Sequence, residues 1–313
     1  MAGLAAYFGL LSGLALCVVL GANNLSTCLG TSMGARALRY PQALVLASIG
    51  LLAGILLEGE KLSGAITSGI VSSSDPKFAL AVALSSFVMM AFLTFRKLPI
   101  SLSQVAIGAA LGSAFALGIQ VNWGFALLVA SSWLLTPMVG LVIAIALSLM
   151  TRQAVKKVRR ILTFNTLYAY LTIFSGVYAS YTLGANTVGL IIGMVEAPQR
   201  EHLLISIAFG IATILGMLGF SRGTTRSVAE NIVGLNPSAS FAAQMGGALT
   251  VHGFTEFGMP VSVSQAVVGG IFGAAIPRNI VVRNDRLTRE IIVGWTVAPF
   301  LGAVLAFLFA GVM

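Results

Sequence analysis

Charge is scarce in this chain. Only 9% of its 313 residues are Asp, Glu, Lys or Arg, against about 25% in soluble globular domains. Hydrophobic residues reach 58% and mean hydropathy is +0.98, so a soluble domain is excluded. Histidine is limited to His202 and His252. A serine nucleophile inside the membrane would need a histidine base, and both histidines fall near predicted span ends on the outer side, which argues against an intramembrane enzyme. The two cysteines, Cys17 and Cys28, sit in the first apolar segment as small fillers, not placed for an extracellular disulfide. The strand alternation of an outer-membrane barrel is missing. No Lys or Arg precedes Arg36, so the first apolar run lacks the basic start of a cleaved signal peptide and is read as a retained span.

What remains is a series of apolar runs of about 20 residues, the length that crosses a bilayer, with Gly at 35 positions as close helix packing in lipid requires. The spans are predicted near 3 to 35 (broken at 21 to 24), 41 to 57, 78 to 95, 99 to 118 and 123 to 150, then 161 to 195 (broken at 184 to 187), 203 to 220, 238 to 256, 260 to 276 and 291 to 313. More polar pieces at 58 to 77 and 222 to 237 are expected as interfacial helices. The net charge of +9 rests on basic residues in short loops without interleaved aromatics, which sets orientation and does not read as a nucleic-acid surface.

The chain repeats itself. Gly21-Ala22-Asn23 returns at Gly184-Ala185-Asn186, an offset of 163 residues; Pro99-x-Ser-x-Ser-Gln returns at Pro260, an offset of 161; Trp133-x-x-x-Pro returns at Trp295, an offset of 162. Three unrelated motifs in the same order point to duplication. The halves are 1–150 and 161–313, joined by the basic linker 151–160. Five spans per half is an odd number, which places the second copy upside down. With the linker cytoplasmic, the 18 basic residues divide 15 inside, Arg36 and Arg39 among them, to three outside: Lys61, Lys77 and Arg200. Both termini are then extracytoplasmic in a multi-pass plasma-membrane protein. Inverted repeats with discontinuous helices at matching places are characteristic of secondary transporters that bind substrate near the midplane.

The polar residues inside the spans come as two pairs. Gly21 to Leu38 places Asn23, Asn24, Ser26, Thr27, Thr31 and Ser32 where hydrocarbon should continue, and Gly184 to Gly193 repeats the pattern with Asn186 and Thr187. Such groups persist at membrane depth where they line a cavity. Local unwinding at the glycines would leave helix-start amides aimed at an anion. The second pair is Leu98-Pro99-Ile100-Ser101-Leu102-Ser103-Gln104 and Met259-Pro260-Val261-Ser262-Val263-Ser264-Gln265. Proline suits a first helical turn, and the hydroxyls and amides of Ser101, Ser103, Gln104, Ser262, Ser264 and Gln265 add neutral donors. Four helix starts are therefore expected to converge on one small anion.

These motifs resemble the inorganic phosphate transporter (PiT) family over nearly the whole chain. Gly21-Ala22-Asn23-Asn24 with Gly30-Thr31-Ser32, and Gly184-Ala185-Asn186-Thr187, look like its Gly-Ala-Asn-Asp signature. Pro99 to Gln104 and Pro260 to Gln265 resemble its hairpins. The resemblance implies an all-α polytopic membrane protein of two inverted repeats with paired hairpins, a homodimer, and cation-coupled uptake of an oxyanion. It matches Asn23, Ser101, Ser103, Asn186, Ser262 and Ser264 to the oxyanion site. The family's Asp is replaced in both copies, by Asn24 and by Thr187.

Without a carboxylate in the core, a coupling sodium would use neutral oxygens, for which Asn24, Ser26, Thr27 and Thr187 are candidates; a proton is the other possible coupling ion. No metal or organic cofactor is expected. Phosphate keeps a proton near neutral pH and suits a carboxylate acceptor, whereas sulfate offers no donor. The family points to inorganic phosphate and the neutral residues pull towards the family's sulfate permeases. A passive anion channel is the reading from another class. His252 and Glu256, one turn apart, form either a proton relay or a solvated helix end; Glu58 and Glu60 are loop acids, and Arg36 ends the first broken helix.

Overall fold

A computed structural model of the chain describes residues 2–95, 101–157, 161–195, 201–222, 236–279 and 285–313. The expectations that rest on Pro99, on most of the piece 222 to 237, and on loop charges such as Arg96, Lys97 and Arg226 lie outside the described residues. All regular structure in the described residues is helical. The helices are α1 (Ala2–Gly34), α2 (Tyr40–Glu58), α3 (Glu60–Gly64), α4 (Pro76–Phe95), α5 (Leu102–Leu117), α6 (Trp123–Lys157), α7 (Ile161–Thr182), α8 (Gly189–Met194), α9 (His202–Phe220), α10 (Pro237–Glu256), α11 (Val263–Ala275) and α12 (Asp285–Val312).

Six helices among the described residues are long and apolar enough to cross a membrane: those containing Leu4–Gly34, Tyr40–Glu58, Pro76–Phe95, Trp123–Ala154, His202–Phe220 and Val293–Val312. α5 and α11 are shorter, with 16 and 13 residues. At 1.5 Å per residue they extend about 24 Å and about 20 Å, less than the ~30 Å hydrocarbon thickness. Both begin at fully enclosed serines, Ser101 and Ser262. α5 ends at Gly118, whose positive φ of 67° closes the helix, and α11 runs into a 3₁₀ turn, Ile276–Arg278.

Packing interleaves the halves and does so twice in the same way. α1 lies on α9 as α7 lies on α2; α1 lies on α4 as α7 lies on α10; α5 lies on α12 as α11 lies on α6. Glycines bring these backbones together. A Cβ on Gly21 would collide with the carbonyl oxygen of Thr213, and one on Gly216 with that of Val18; at the equivalent contact, Gly184 meets Leu51 O and Gly54 meets Tyr181 O. Gly108 faces Pro299 O and Gly269 faces Pro137 O, beside the prolines that interrupt α12 and α6.

Two sequence expectations need correction. α1 is a continuous α-helix through 21–24: Gly21 serves the contact with α9, and Asn24 Nδ2 bonds to Leu20 O at 3.1 Å within its own helix, so nothing there is unwound. At 184–187 the chain forms a π-helical turn, Leu183–Val188, between α7 and α8, which widens the helix without freeing a helix start. The piece 58 to 77 is packed into the fold. α3 and a second π turn, Ala65–Ile70, pack on α8, with Leu62, Ile66, Ile70 and Val71 fully buried.

Arg36 is exposed and has a φ of 57°. It ends α1 as a left-handed residue after which Ala37 N returns to Ser32 O at 2.9 Å, a helix stop and not a site residue. Cys17 and Cys28 are free thiols, both buried.

The close approaches predict which glycines tolerate a methyl group. Gly108→Ala and Gly269→Ala force apart two backbones and should each cost about 1–3 kcal/mol, seen as a lower melting temperature of the detergent-purified protein. Gly219→Ala, with open space around it, should leave that temperature unchanged.

Candidate functional site

The starts of α5 and α11 open onto one cavity. It is lined from the α5 side by Ser101, Leu102 and Ser103, from the α11 side by Val261, Ser262, Val263 and Ser264, and closed by Leu20 and Asn24 of α1 and Thr187 of the π turn. None of these side chains is charged. Ser101 Oγ accepts the amide of Gln104 at 3.4 Å and Ser262 Oγ accepts that of Gln265 at 3.2 Å, so each serine caps its helix. Ser101 Oγ lies 3.0 Å from Ser103 Oγ, and Ser262 Oγ lies 2.9 Å from Ser264 Oγ. The same device is built twice.

A helix start carries about half a positive charge, and two of them facing one cavity supply a field of the order of one charge without a lysine or arginine. Low dielectric strengthens it. The arrangement suits a desolvated anion held by hydroxyls, with backbone amides behind them.

Of the sequence-predicted residues, Asn24, Ser101, Ser103, Thr187, Ser262 and Ser264 meet at this cavity. Asn23 and Asn186 are not among the residues that line it. Asn186 Nδ2 donates to Thr255 Oγ1 at 2.9 Å and to Met259 O at 3.1 Å, while its Oδ1 accepts Val261 N at 3.2 Å. It thus pins the segment that leads into α11. Asn23 Nδ2 donates to Thr94 Oγ1 at 3.2 Å, the equivalent link at the end of α4.

Gln104 and Gln265 are buried beside the caps, and the Oε1 atom of each has no hydrogen-bond partner. Ser26 donates to Asn23 O within α1 at 2.9 Å, and the carbonyl of Thr27 accepts Gln244 Nε2 at 3.1 Å. The four converging helix starts expected from the sequence are two, because the Gly-Ala-Asn segments contribute polar side chains and no helix ends.

Sequence reasoning missed three supporting residues. Thr94 and Thr255, 161 residues apart, are the partners of the two asparagines, and that spacing was the available signal. Gln244, wholly buried in α10, ties α10 to α1 through Thr27 O and through Thr31 Oγ1 at 2.5 Å; its signal was an uncharged amide in a span. The apolar lining residues Leu20, Leu102, Val261 and Val263 gave none.

A polytopic helical protein with a neutral, donor-lined chamber at two buried helix starts belongs to the class of membrane transport proteins. Comparison with known proteins makes this specific: the chain belongs to the phosphate transporter family, whose model matches residues 20–306. It is 32% identical over 291 residues to a protein of Methanocaldococcus jannaschii named as a phosphate permease, covering 93% of this chain and 92% of that one. A Pyrococcus abyssi protein named in the same way is 24% identical, with 96% of each chain covered. A solved structure described as the sodium-dependent phosphate transporter superposes with a TM-score of 0.87 over 98% of both chains at 20% identity, and so shares the fold. The family is one of transporters, not enzymes.

Asn186→Ala removes the acceptor of Val261 N and the donor to Met259 O in a dry environment. At about 1–3 kcal/mol for each orphaned group, the melting temperature should fall clearly, whereas Thr187→Val, at the cavity wall, should change it little.

Proposed function

We propose that this chain is a secondary transporter of inorganic phosphate that works by sodium-coupled alternating access, with its halves acting as inverted repeats. The observation that carries this is the pair of serine-capped helix starts, Ser101–Ser103 and Ser262–Ser264, facing one uncharged cavity. Family membership supports phosphate as the anion. The doubled contacts α1–α9 with α7–α2, and α5–α12 with α11–α6, support two equivalent halves able to exchange roles, with the site at their interface.

Sodium is supported by the buried, unpartnered Oε1 atoms of Gln104 and Gln265: an amide oxygen is an acceptor and welcomes a cation, not an anion. It is supported too by the likeness to a sodium-dependent transporter. In the proposed cycle, the anion and its cation neutralise one another in the cavity, the loaded halves rock, and the cavity opens to the other side. The topology proposed is a plasma-membrane protein with a cytoplasmic linker and extracytoplasmic termini, paired as a homodimer.

One observation favours a second reading. Both positions at which the family carries Asp line the cavity here as neutral residues, Asn24 and Thr187, which leaves no carboxylate to accept the proton of hydrogen phosphate. That chemistry fits sulfate.

Uptake by proteoliposomes decides between them. Labelled phosphate should accumulate above its external concentration under an inward sodium gradient and leak out when the gradient is collapsed. Flux that only equilibrates would make the protein a channel, and concentrative sulfate flux without phosphate flux would establish the second reading. Ser101→Ala and Ser262→Ala each remove a hydroxyl from the anion, worth about 1.5–3 kcal/mol for a charged partner. The KM should therefore rise roughly 10- to 100-fold, and unchanged uptake by the double variant would remove the cavity from the mechanism.

A further inference from the structure

A second polar cluster lies away from the cavity, where α2 and α10 end. His252 Nε2 is 3.0 Å from Glu256 Oε1 and 3.7 Å from Glu58 Oε2, and one ligand atom from each of the three residues falls within 4.8 Å of the others. Glu58 Oε2 is shielded from solvent without a partner at full hydrogen-bond geometry, and Tyr181 is the phenol that interacts with its carboxylate; such an oxygen favours a nearby cation. On the far side of the ring, Tyr178 Oη lies 2.6 Å from His252 Nδ1, fixing the imidazole with Nε2 turned towards both carboxylates. The available cation is Lys61, 2.6 Å from Glu256 Oε1 and 3.4 Å from Glu58 Oε1, on a side chain 36% exposed. Its ammonium is held above its ordinary pKa, first by the hydrogen bond to Glu256.

We infer that Glu58, His252 and Glu256 form a site for a divalent metal of the zinc class, in which Lys61 is a tethered substitute that the metal displaces. One imidazole nitrogen and two carboxylate oxygens are a ligand set that zinc accepts at about 2.0–2.2 Å, with a fourth position left for water. Calcium and magnesium prefer all-oxygen sites. An outer-shell hydrogen bond of the kind Tyr178 makes is what orients a metal-binding histidine. Two carboxylates against one lysine leave the empty site with a net negative charge, and the metal completes its neutralisation. Occupancy clamps the end of α10 to the end of α2. Thr255, which holds Asn186, sits within that clamp. The inference does not depend on which anion is carried.

The test is calorimetric titration of the full-length, tag-free protein with zinc ions in phosphate-free buffer. One zinc per chain is expected, with no saturable signal from magnesium or calcium. Glu58→Gln and His252→Gln should each weaken zinc binding tenfold or more, while Lys61→Gln, on an exposed side chain that leaves the fold intact, should tighten it. Absence of stoichiometric binding would overturn the site. So would zinc affinity unchanged in both ligand variants, or affinity lowered by Lys61→Gln.

Discussion

A backbone amide left in hydrocarbon without an acceptor costs several kcal/mol, and α5 and α11 both begin at buried serines. Everything around the cavity answers that constraint. Each helix start is capped by its own serine, Ser101 or Ser262, and each cap is braced by a second hydroxyl two residues on. Helices of 16 and 13 residues are shorter than the hydrocarbon core is thick, and their first turns are buried within the protein. The serines make that burial tolerable.

The supporting shell is made of the same few devices used twice. Asn23 holds Thr94 and Asn186 holds Thr255, tying the first helix of each half to the helix that leads into the short one. Glycines on one helix and carbonyls on its partner bring α1 against α9 and α7 against α2. Contacts of this kind transmit movement as rigid bodies, because backbones that touch cannot slide without separating. The equivalence is incomplete: one copy of the Gly-Ala-Asn segment is a plain α-helix, and the other is a π turn whose Asn186 makes three hydrogen bonds.

Much of this was legible in the sequence. Hydropathy located the helices to within a few residues, and the repeated Pro-x-Ser-x-Ser-Gln element pointed to both short helix starts, because serine after proline has few other reasons to be buried twice at one offset. The Gly-Ala-Asn element was legible as a place and misleading as a shape. Glycine serves both unwinding and close packing, and only the position of Thr213 O above Gly21 and Leu51 O above Gly184 decides for packing. The metal-type cluster was half visible: His252 and Glu256 are one helical turn apart, but Glu58 reaches them from another helix nearly 200 residues away, a juxtaposition that no local pattern carries.

The two short helices point like ends at each other across a chamber without a countercharge. Their dipoles repel, and the low dielectric that would strengthen an anion's hold strengthens that repulsion as well. In the proposed transport cycle an anion between the two ends would offset the repulsion, so that occupancy and closure become one event and the cargo acts as a structural part of the closed protein.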